Sequence, residues 1–468
     1  MTIEYIGLVT LLVGFISLYR APPFIVYAFF CSTLLGSAAA FVLDSLGGTN
    51  ISPSHLLLGF LAVRLLSDPG VANAGMRQMS IGQSGFWLFL TLIYSIVGAY
   101  SLPRLFYGTT QIFPVRAANA FTIALQPAMS NVTQSIYFTA DFISFILLAG
   151  YASTLTGRKV LGGAMLAGAT ANLVFGALDL ISYFTNTTDL FLFIRNANYA
   201  MLNDTEVAGL KRIVGSFTEA SSFGAATLTY FAFTSRLWLL GIWPRSTLAL
   251  SLLSLCALIF STSSTAYVGL AAILALIYIQ ALFEALRHPV TTQEGTFIII
   301  APLVLGLIAL VILLNDSYST YIYNYLDGVL FNKLNTASGR DRSALNTQAI
   351  QNFFDTFGFG VGNGSIRASS FPVAALASLG IAGVLVFGIF FATLFFSRFP
   401  KSETSDRVDG AYRQAAKMAC VASLVTATTS GALIDLGLPF YAFAALCVSQ
   451  QPVTVVRTAA RSLRGALS

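Results

Sequence analysis

The chain has 468 residues, of which 56% are hydrophobic and only 9% are charged. Soluble domains carry about 25% charged residues because a folded surface must face water. Here 25 Lys+Arg and 19 Asp+Glu are too few to cover a soluble protein of this length, so a soluble enzyme and a disordered scaffold are both excluded. The expected fold class is all-α: a polytopic helical membrane protein. The 38 glycines and an aromatic content of 13% agree, since Gly is common in membrane helices and aromatics collect at interfaces. Cys31, Cys256, Cys420 and Cys447 lie in apolar runs, with neither metal-ligand spacing nor a disulfide framework.

A hydrocarbon core takes about 20 apolar helical residues to cross. In chain order the candidate runs are 4–19, 22–43, 53–66, 84–100, 137–156, 161–184, 222–240, 247–260, 264–283, 296–314, 372–397, 414–434 and 438–456. The runs 53–66 and 247–260 are short, so about 12–14 transmembrane helices are expected, in a single integral membrane domain, 1–468. The first run lacks a basic n-region and a small-residue cleavage motif, so it reads as a retained span rather than a signal peptide.

Orientation follows from the basic residues, which favour cytoplasmic loops. Numbering the loops alternately, one set holds Arg20, Arg64, Arg77, Arg158, Lys159, Arg236, Arg245, Arg287, Arg398, Lys401, Arg407, Arg413, Lys417, Arg457, Arg461 and Arg464. The other holds Arg104, Arg116, Arg195, Lys211, Arg212, Lys333, Arg340, Arg342 and Arg367. The first set is expected inside, which puts the N-terminus outside and the C-terminus in the cytoplasm. The net charge of +6 is then mostly a topology signal, and no nucleic-acid partner is expected.

Three segments expected outside are long: 101–135, 185–221 and 315–371. Loops of more than about 15 residues in a compact protein are usually functional or disordered, and these are not disordered by composition. In the third, Leu345, Ala349, Ile350, Phe353, Phe354 and Phe357 recur at helical spacing, opposite Asn346, Thr347, Gln351, Asn352 and Asp355. That pattern predicts an amphipathic helix at the membrane surface, either a structural cap or part of a site.

The external arginines stand beside flexible stretches: Arg212 before Gly215–Ser216, Arg340 and Arg342 after Ser338–Gly339, and Arg367 after Gly358–Ser365. Arg presents a rigid fork of donors suited to phosphate oxygens, and Gly lets backbone N–H groups approach a ligand. Together they point to an external anion site, with phosphate as the expected ligand. The alternative for each arginine is a salt bridge or a lipid headgroup contact. The stretch 358–364 lacks the Lys-Ser/Thr ending and preceding strand of a nucleotide loop. Asp141, Asp179 and Glu219 also lie toward the outer ends of their runs. Asp141 reads as a helix cap or anchor, and Glu219 is the better functional candidate. The turn Ser261–Thr265 offers hydroxyls for a sugar, though satisfying freed backbone groups is the favoured use.

Residues 212–224, Arg-Ile-Val-Gly-Ser-Phe-Thr-Glu-Ala-Ser-Ser-Phe-Gly, resemble a loop of the O-antigen ligase/polymerase superfamily in which an Arg precedes a Gly-x-Phe and an acidic turn. Ser338-Gly339-Arg340, a surface helix, the stretch 357–365 and the run opening at 370–383 are similar to that family's large periplasmic loop and following helix. The recognisable motifs cover about 210 to 385. A Trp commonly found shortly after the loop Arg is missing. So is the His that the ligases carry near the end of this loop; the two histidines are His55 and His288. The missing His favours a Wzy-type polysaccharide polymerase over a ligase.

The resemblance implies transfer of a glycan from a polyprenyl (undecaprenyl) diphosphate to a sugar hydroxyl, at the periplasmic face of the bacterial inner membrane, in making O-antigen, lipopolysaccharide or exopolysaccharide. It implies Arg212 and Arg340 at the departing diphosphate, with no cofactor and no metal; by location Glu219 is the candidate base, with Asp179 behind it. Lys211, Arg195, Arg342, Arg367, Asp179, Asn363 and Ser365 would help hold substrate. The partners implied are the lipid-linked oligosaccharide and membrane lipids, with a chain-length regulator left open. A ligase acting on lipid A core and a lipid-linked oligosaccharide flippase or other transporter are the competing readings. Gathering of charge at one face and the lack of an internal repeat argue against transport.

Overall fold

The computed structural model describes residues 2–43, 48–115, 121–198, 201–202, 206–207, 209–287, 289–328, 332, 336–396 and 407–448. Of the charges used for orientation, Arg116, Lys333, Arg398, Lys401, Arg457, Arg461 and Arg464 lie outside these, as do His288 and the last part of the run 438–456.

Sixteen α-helices are found among the described residues. They are α1 (Tyr5–Tyr19), α2 (Pro22–Ser32), α3 (Pro53–Leu66), α4 (Pro69–Arg77), α5 (Ser84–Leu105), α6 (Met129–Tyr151), α7 (Leu155–Phe184) and α8 (Ala220–Leu239). There follow α9 (Pro244–Phe260), α10 (Ser264–Ala285), α11 (Thr292–Leu313), α12 (Asp316–Leu326), α13 (Ala337–Asp355), α14 (Phe371–Phe396), α15 (Arg407–Ser430) and α16 (Gly437–Val448). Their starts obey ordinary chemistry. Pro stands in the first turn of α2, α3, α4 and α9, where its missing N–H costs nothing. Thr154, Thr291 and Thr336 cap α7, α11 and α13 with their hydroxyls.

Among the described residues, six helices are long and apolar enough to cross a membrane: α5, α6, α7, α10, α11 and α14. The pair α3 and α4, bent by 108°, adds a seventh if it counts as one span. The architecture is that of an all-α polytopic membrane protein. Every apolar run of the sequence carries a helix, but several are short; at 1.5 Å per residue the 15 residues of α1 fall short of a core about 30 Å thick.

The run 22–43 is not one helix. It stops at Ser32, and the chain turns through 34–40 into a three-stranded sheet of β1 (Thr2–Ile3), β2 (Phe41–Leu43) and β3 (Thr49–Ile51), all antiparallel. The turn is sewn to the segment 185–221. Ser37 Oγ donates to Ile194 O and Ser216 O, both at 2.9 Å, and Ser216 Oγ donates to Leu34 O at 2.7 Å.

Helix direction sorts the ends of the bundle. The starts of α6, α8, α10, α14 and α16 lie at one end with the ends of α5, α7 and α15, and with α12 and α13. The opposite end is braced by buried ion pairs. Arg158 of α7 bonds Asp409 of α15, each side chain 1% exposed, and Arg236 of α8 meets Glu284 at 2.5 Å and Glu294 at 3.8 Å. Arg158, Arg236 and Arg413, counted by sequence among cytoplasmic charges, are therefore held by acids inside the protein. Asp141 sits near the middle of α6, not at its start, so the cap reading is corrected.

Candidate functional site

The loop that carries Arg212 and Glu219 is fixed by a buried bracket. Asp179, near the end of α7, accepts hydrogen bonds from Val214 N (2.8 Å) and Gly215 N (3.2 Å) and pairs with Arg195 Nη2 at 2.6 Å. The same Nη2 donates to Gly215 O at 2.6 Å, and the guanidinium lies 4.4 Å from the Phe191 ring centre. Side-chain exposures of 4% for Arg195 and 2% for Asp179 leave neither group open to a ligand. Both residues, expected from sequence to hold substrate, are engaged in shaping the loop. Lys211 is similarly engaged, donating to Arg212 O at 3.1 Å beside the Tyr183 ring.

Past the bracket, Glu219 stands immediately before α8 and accepts a hydrogen bond from Ser221 Oγ. Gly224 lets α8 approach α10 closely, since a Cβ there would lie 2.9 Å from that of Ala266. This brings the turn Ser261–Thr265 against the start of α8. Arg212 is half-buried, and its Nε has no hydrogen-bond partner. Burial pushes its pKa down, Glu219, Tyr325 and Tyr267 oppose that, and Arg342 adds to it. The guanidinium still remains a cation, and five groups from four elements share one electrostatic neighbourhood. Tyr267 of α10 and Tyr325 of α12 join hydroxyls at 2.7 Å.

α13 supplies Arg342. It enters a cleft of about 380 Å³ lined by Ser264 and Thr265 of α10, Asn346 of α13, Ser369, and Thr428 and Thr429 of α15. Its Nη1 donates to Thr429 O at 3.2 Å. Arg340 lies elsewhere. It lines a second cleft, of about 530 Å³, with Phe113, Ala344 and Gln348. The clefts share Ser343 and Thr347 and so flank one helix. Residues two apart on a helix point to different sides. The structure therefore groups Arg212, Glu219 and Arg342, and it separates Arg340, which the sequence reading had ranked above Arg342. Arg367 is exposed and its backbone N–H bonds Phe113 O at 2.9 Å, beside the second cleft.

Most amides of the glycine-rich stretch are bonded within the protein. Gly358, Gly360, Gly362 and Gly364 all have positive φ, which an L side chain resists. A Cβ on Gly360 would lie 2.8 Å from Gly380 N, and one on Gly364 2.3 Å from Ser130 O. The amides of Val361 and Gly362 bond Ala377 O and Ser378 O. Asn363 and Ser365 are buried against α6, where Asn131 Nδ2 donates to Asn363 O (2.7 Å) and Ser365 Oγ (2.9 Å). Both residues expected to hold substrate sit in this packing, and the glycines allow close helix contact.

α13 docks by a side that cuts across its apolar pattern. Ala349 and Asn352 are buried, with Asn352 Nδ2 donating to Thr110 Oγ1 and Gln111 O, while Phe354 and Phe357 are 65% and 83% exposed. Leu345, Phe353, Asn346 and Asp355 are half-buried while Ile350, Thr347 and Gln351 are exposed, so neither side of the pattern docks as a whole.

Tyr267, Tyr325, Thr428 and Thr429 were not singled out by sequence, and nothing in their spacing marks them. The turn hydroxyls Ser264 and Thr265 were noticed, but for structural use. Compared with protein-family models, with curated proteins and with solved structures, the chain matches none.

Proposed function

We propose that this chain is a glycan polymerase that joins polyprenyl-diphosphate-linked oligosaccharide repeat units at the outer face of a bacterial inner membrane. In this reading the bundle has about 12–14 crossings, the three long segments are periplasmic, and the C-terminus is cytoplasmic. The observation that carries it is the grouping of Arg212, Arg342 and Glu219 beside a hydroxyl-lined cleft at one end of an apolar bundle.

The chemistry asks for such a group. The acceptor hydroxyl attacks the anomeric carbon, the bond from that carbon to the diphosphate oxygen breaks, and the electron pair leaves with the diphosphate. Fixed cations at those oxygens stabilise the charge as it develops. Arg212 and Arg342 take that role, and Glu219 takes the hydroxyl proton. Ser264, Thr265 and Thr428 line the same cleft and suit sugar hydroxyls. Exposed Phe354 and Phe357 fit an α13 seated at the lipid surface, where the polyprenyl tail arrives.

Deletion of the gene, followed by analysis of lipid-linked glycans, tests the reading. Single repeat units on the carrier support it. Polymer stranded on the carrier means a ligase instead, and repeat units confined to the cytoplasmic leaflet mean a flippase. Complementation with Arg212→Ala or Arg342→Ala should yield membrane-inserted protein without long chains; normal chain lengths in both would overturn the site.

A further inference from the structure

The cleft on the far flank of α13 lies outside the group assigned to the leaving diphosphate. At about 530 Å³ it falls within the roughly 300–1,000 Å³ of ordinary ligand sites. The segment after α5 supplies one wall. There β4 (Gln111–Ile112) pairs antiparallel with β5 (Ile123–Ala124). Ile112 is buried with Leu125 and Ala349, and the next side chain, Phe113, lines the cleft. α13 supplies the other wall with Arg340, Ser343, Thr347 and Gln348. Hydrogen bonds fix the walls to each other. Gln348 Nε2 and Asn352 Nδ2 donate to Gln111 O at 2.7 and 2.6 Å, and Arg367 N donates to Phe113 O at 2.9 Å.

Two arginines meet here with their charges uncommitted. Arg340 and Arg367 are both exposed, and among the described residues neither side chain has an ion-pair or hydrogen-bond partner. Arg158, Arg195 and Arg236, by contrast, are each held by an acid. Two free guanidinium forks beside one cleft call for an anion. The rest of the lining calls for a sugar. Phe113 offers an apolar ring to the C–H face of a pyranose, and Ser343, Thr347 and Gln348 offer hydroxyls and an amide to its hydroxyl groups. A bare phosphate would use the forks and leave the ring idle.

We propose that this cleft is an acceptor subsite that binds an acidic sugar, one bearing a carboxylate or phosphate substituent, on the glycan whose hydroxyl reacts. The acceptor role rests on the glycan-transfer reading; the binding does not. Ser343 and Thr347 are exposed and line both clefts, so a glycan seated on Phe113 continues over α13 into the Arg342 cleft. A helix with its side chains is about 10–12 Å across, a width that an oligosaccharide spans and a monosaccharide does not. The subsite selects acceptors by the charge of a sugar behind the reacting end. Arg340 then acts on acceptor binding and not on the departing diphosphate.

Full-length protein in phosphatidylcholine nanodiscs tests this by calorimetric titration. The probes are tetragalacturonate, a hyaluronan tetrasaccharide and sialyllactose, the methyl ester of each, and inorganic diphosphate. At least one acid should bind, and its ester should bind about tenfold more weakly, the worth of one charge-assisted contact. Arg340→Gln and Arg367→Gln should each weaken the acid by about that factor and leave the ester and diphosphate unchanged. Phe113→Ala should weaken acid and ester alike. Should Arg340→Gln fail to fold, Arg367→Gln and the wild-type acid–ester difference decide. Three results overturn the proposal: no acid binds, an ester binds as well as its acid, or Arg340→Gln cuts diphosphate and acid binding equally. So does loss of the acid's binding when phosphatidylglycerol is added to the nanodisc, which would make the cleft a lipid-headgroup site. A deletion strain with unaltered glycans, beside intact acid binding, would strike the transfer reading and leave the cleft an acidic-glycan site.

Discussion

Arg212→Ala separates chemistry from folding. The guanidinium makes no hydrogen bond to a described residue, and its Nε is buried without a partner. Truncating it breaks no bond that holds the fold, and a change in stability within about 0.5 kcal/mol is expected. If Arg212 stabilises a departing diphosphate, losing it should cost what the loss of one preorganised donor costs, about 2.7–4 kcal/mol, or roughly 100- to 1,000-fold in rate. Arg195→Ala should do the reverse. It leaves Asp179, 2% exposed, without its cation, and breaking a buried pair costs about 3–5 kcal/mol. The assay is polymerisation of purified lipid-linked repeat units, resolved by length on gels, beside the melting midpoint of each variant. Arg212→Ala turning over at the wild-type rate, or melting as early as Arg195→Ala, would refute the reasoning.

Arg342→Ala should slow chain extension more than Arg340→Ala in the same assay, because only Arg342 shares the cleft and electrostatic neighbourhood of Arg212; equal effects would mean that both clefts serve one step. Gly360→Ala places a Cβ 2.8 Å from Gly380 N at φ +84°, so backbone strain of about 1–2 kcal/mol joins overpacking of about 1–3 kcal/mol, and the melting midpoint should drop. Gly388→Ala, with nothing within 4 Å of the new Cβ, should be neutral or stabilising by up to about 1 kcal/mol. Asp409→Asn at the opposite end should destabilise by about 3–5 kcal/mol, since Arg158 would be left buried and unpaired; a thermal scan of the detergent-solubilised protein measures it.

The helices were legible because burial in lipid demands a continuous apolar run whose backbone bonds are made within the segment. The exception, 22–43, is instructive: Gly36 and Ser37 look harmless in an apolar stretch, but the chain turns there to meet Ser216, a partner 179 residues away. For the site, Arg212 and Glu219 could be picked out because a basic and an acidic residue beside a membrane helix stand out against so few charges. Their companions could not. Whether Arg340 or Arg342 faces them depends on how α13 is rotated, and the apolar residues at helical spacing begin only at Leu345, after both arginines, whereas the helix starts at Ala337. Asn363, Ser365 and the alternating glycines resembled a ligand loop because close approach to a ligand and close approach to a neighbouring helix place the same demand on a backbone.

Sequence alone determined that the chain is a helical membrane protein, where its helices run, and which few polar residues need a reason to be there. These follow from local constraints: hydrophobic run length, helix caps and the cost of charge in lipid. The tertiary structure decided what each polar residue does. It spent Arg195 and Asp179 on a bracket, set Arg342 in the electrostatic neighbourhood of Arg212, and tied Ser37 to Ser216 from 179 positions along the chain. A charged side chain is read by its partners, and partners distant in sequence are supplied only by packing.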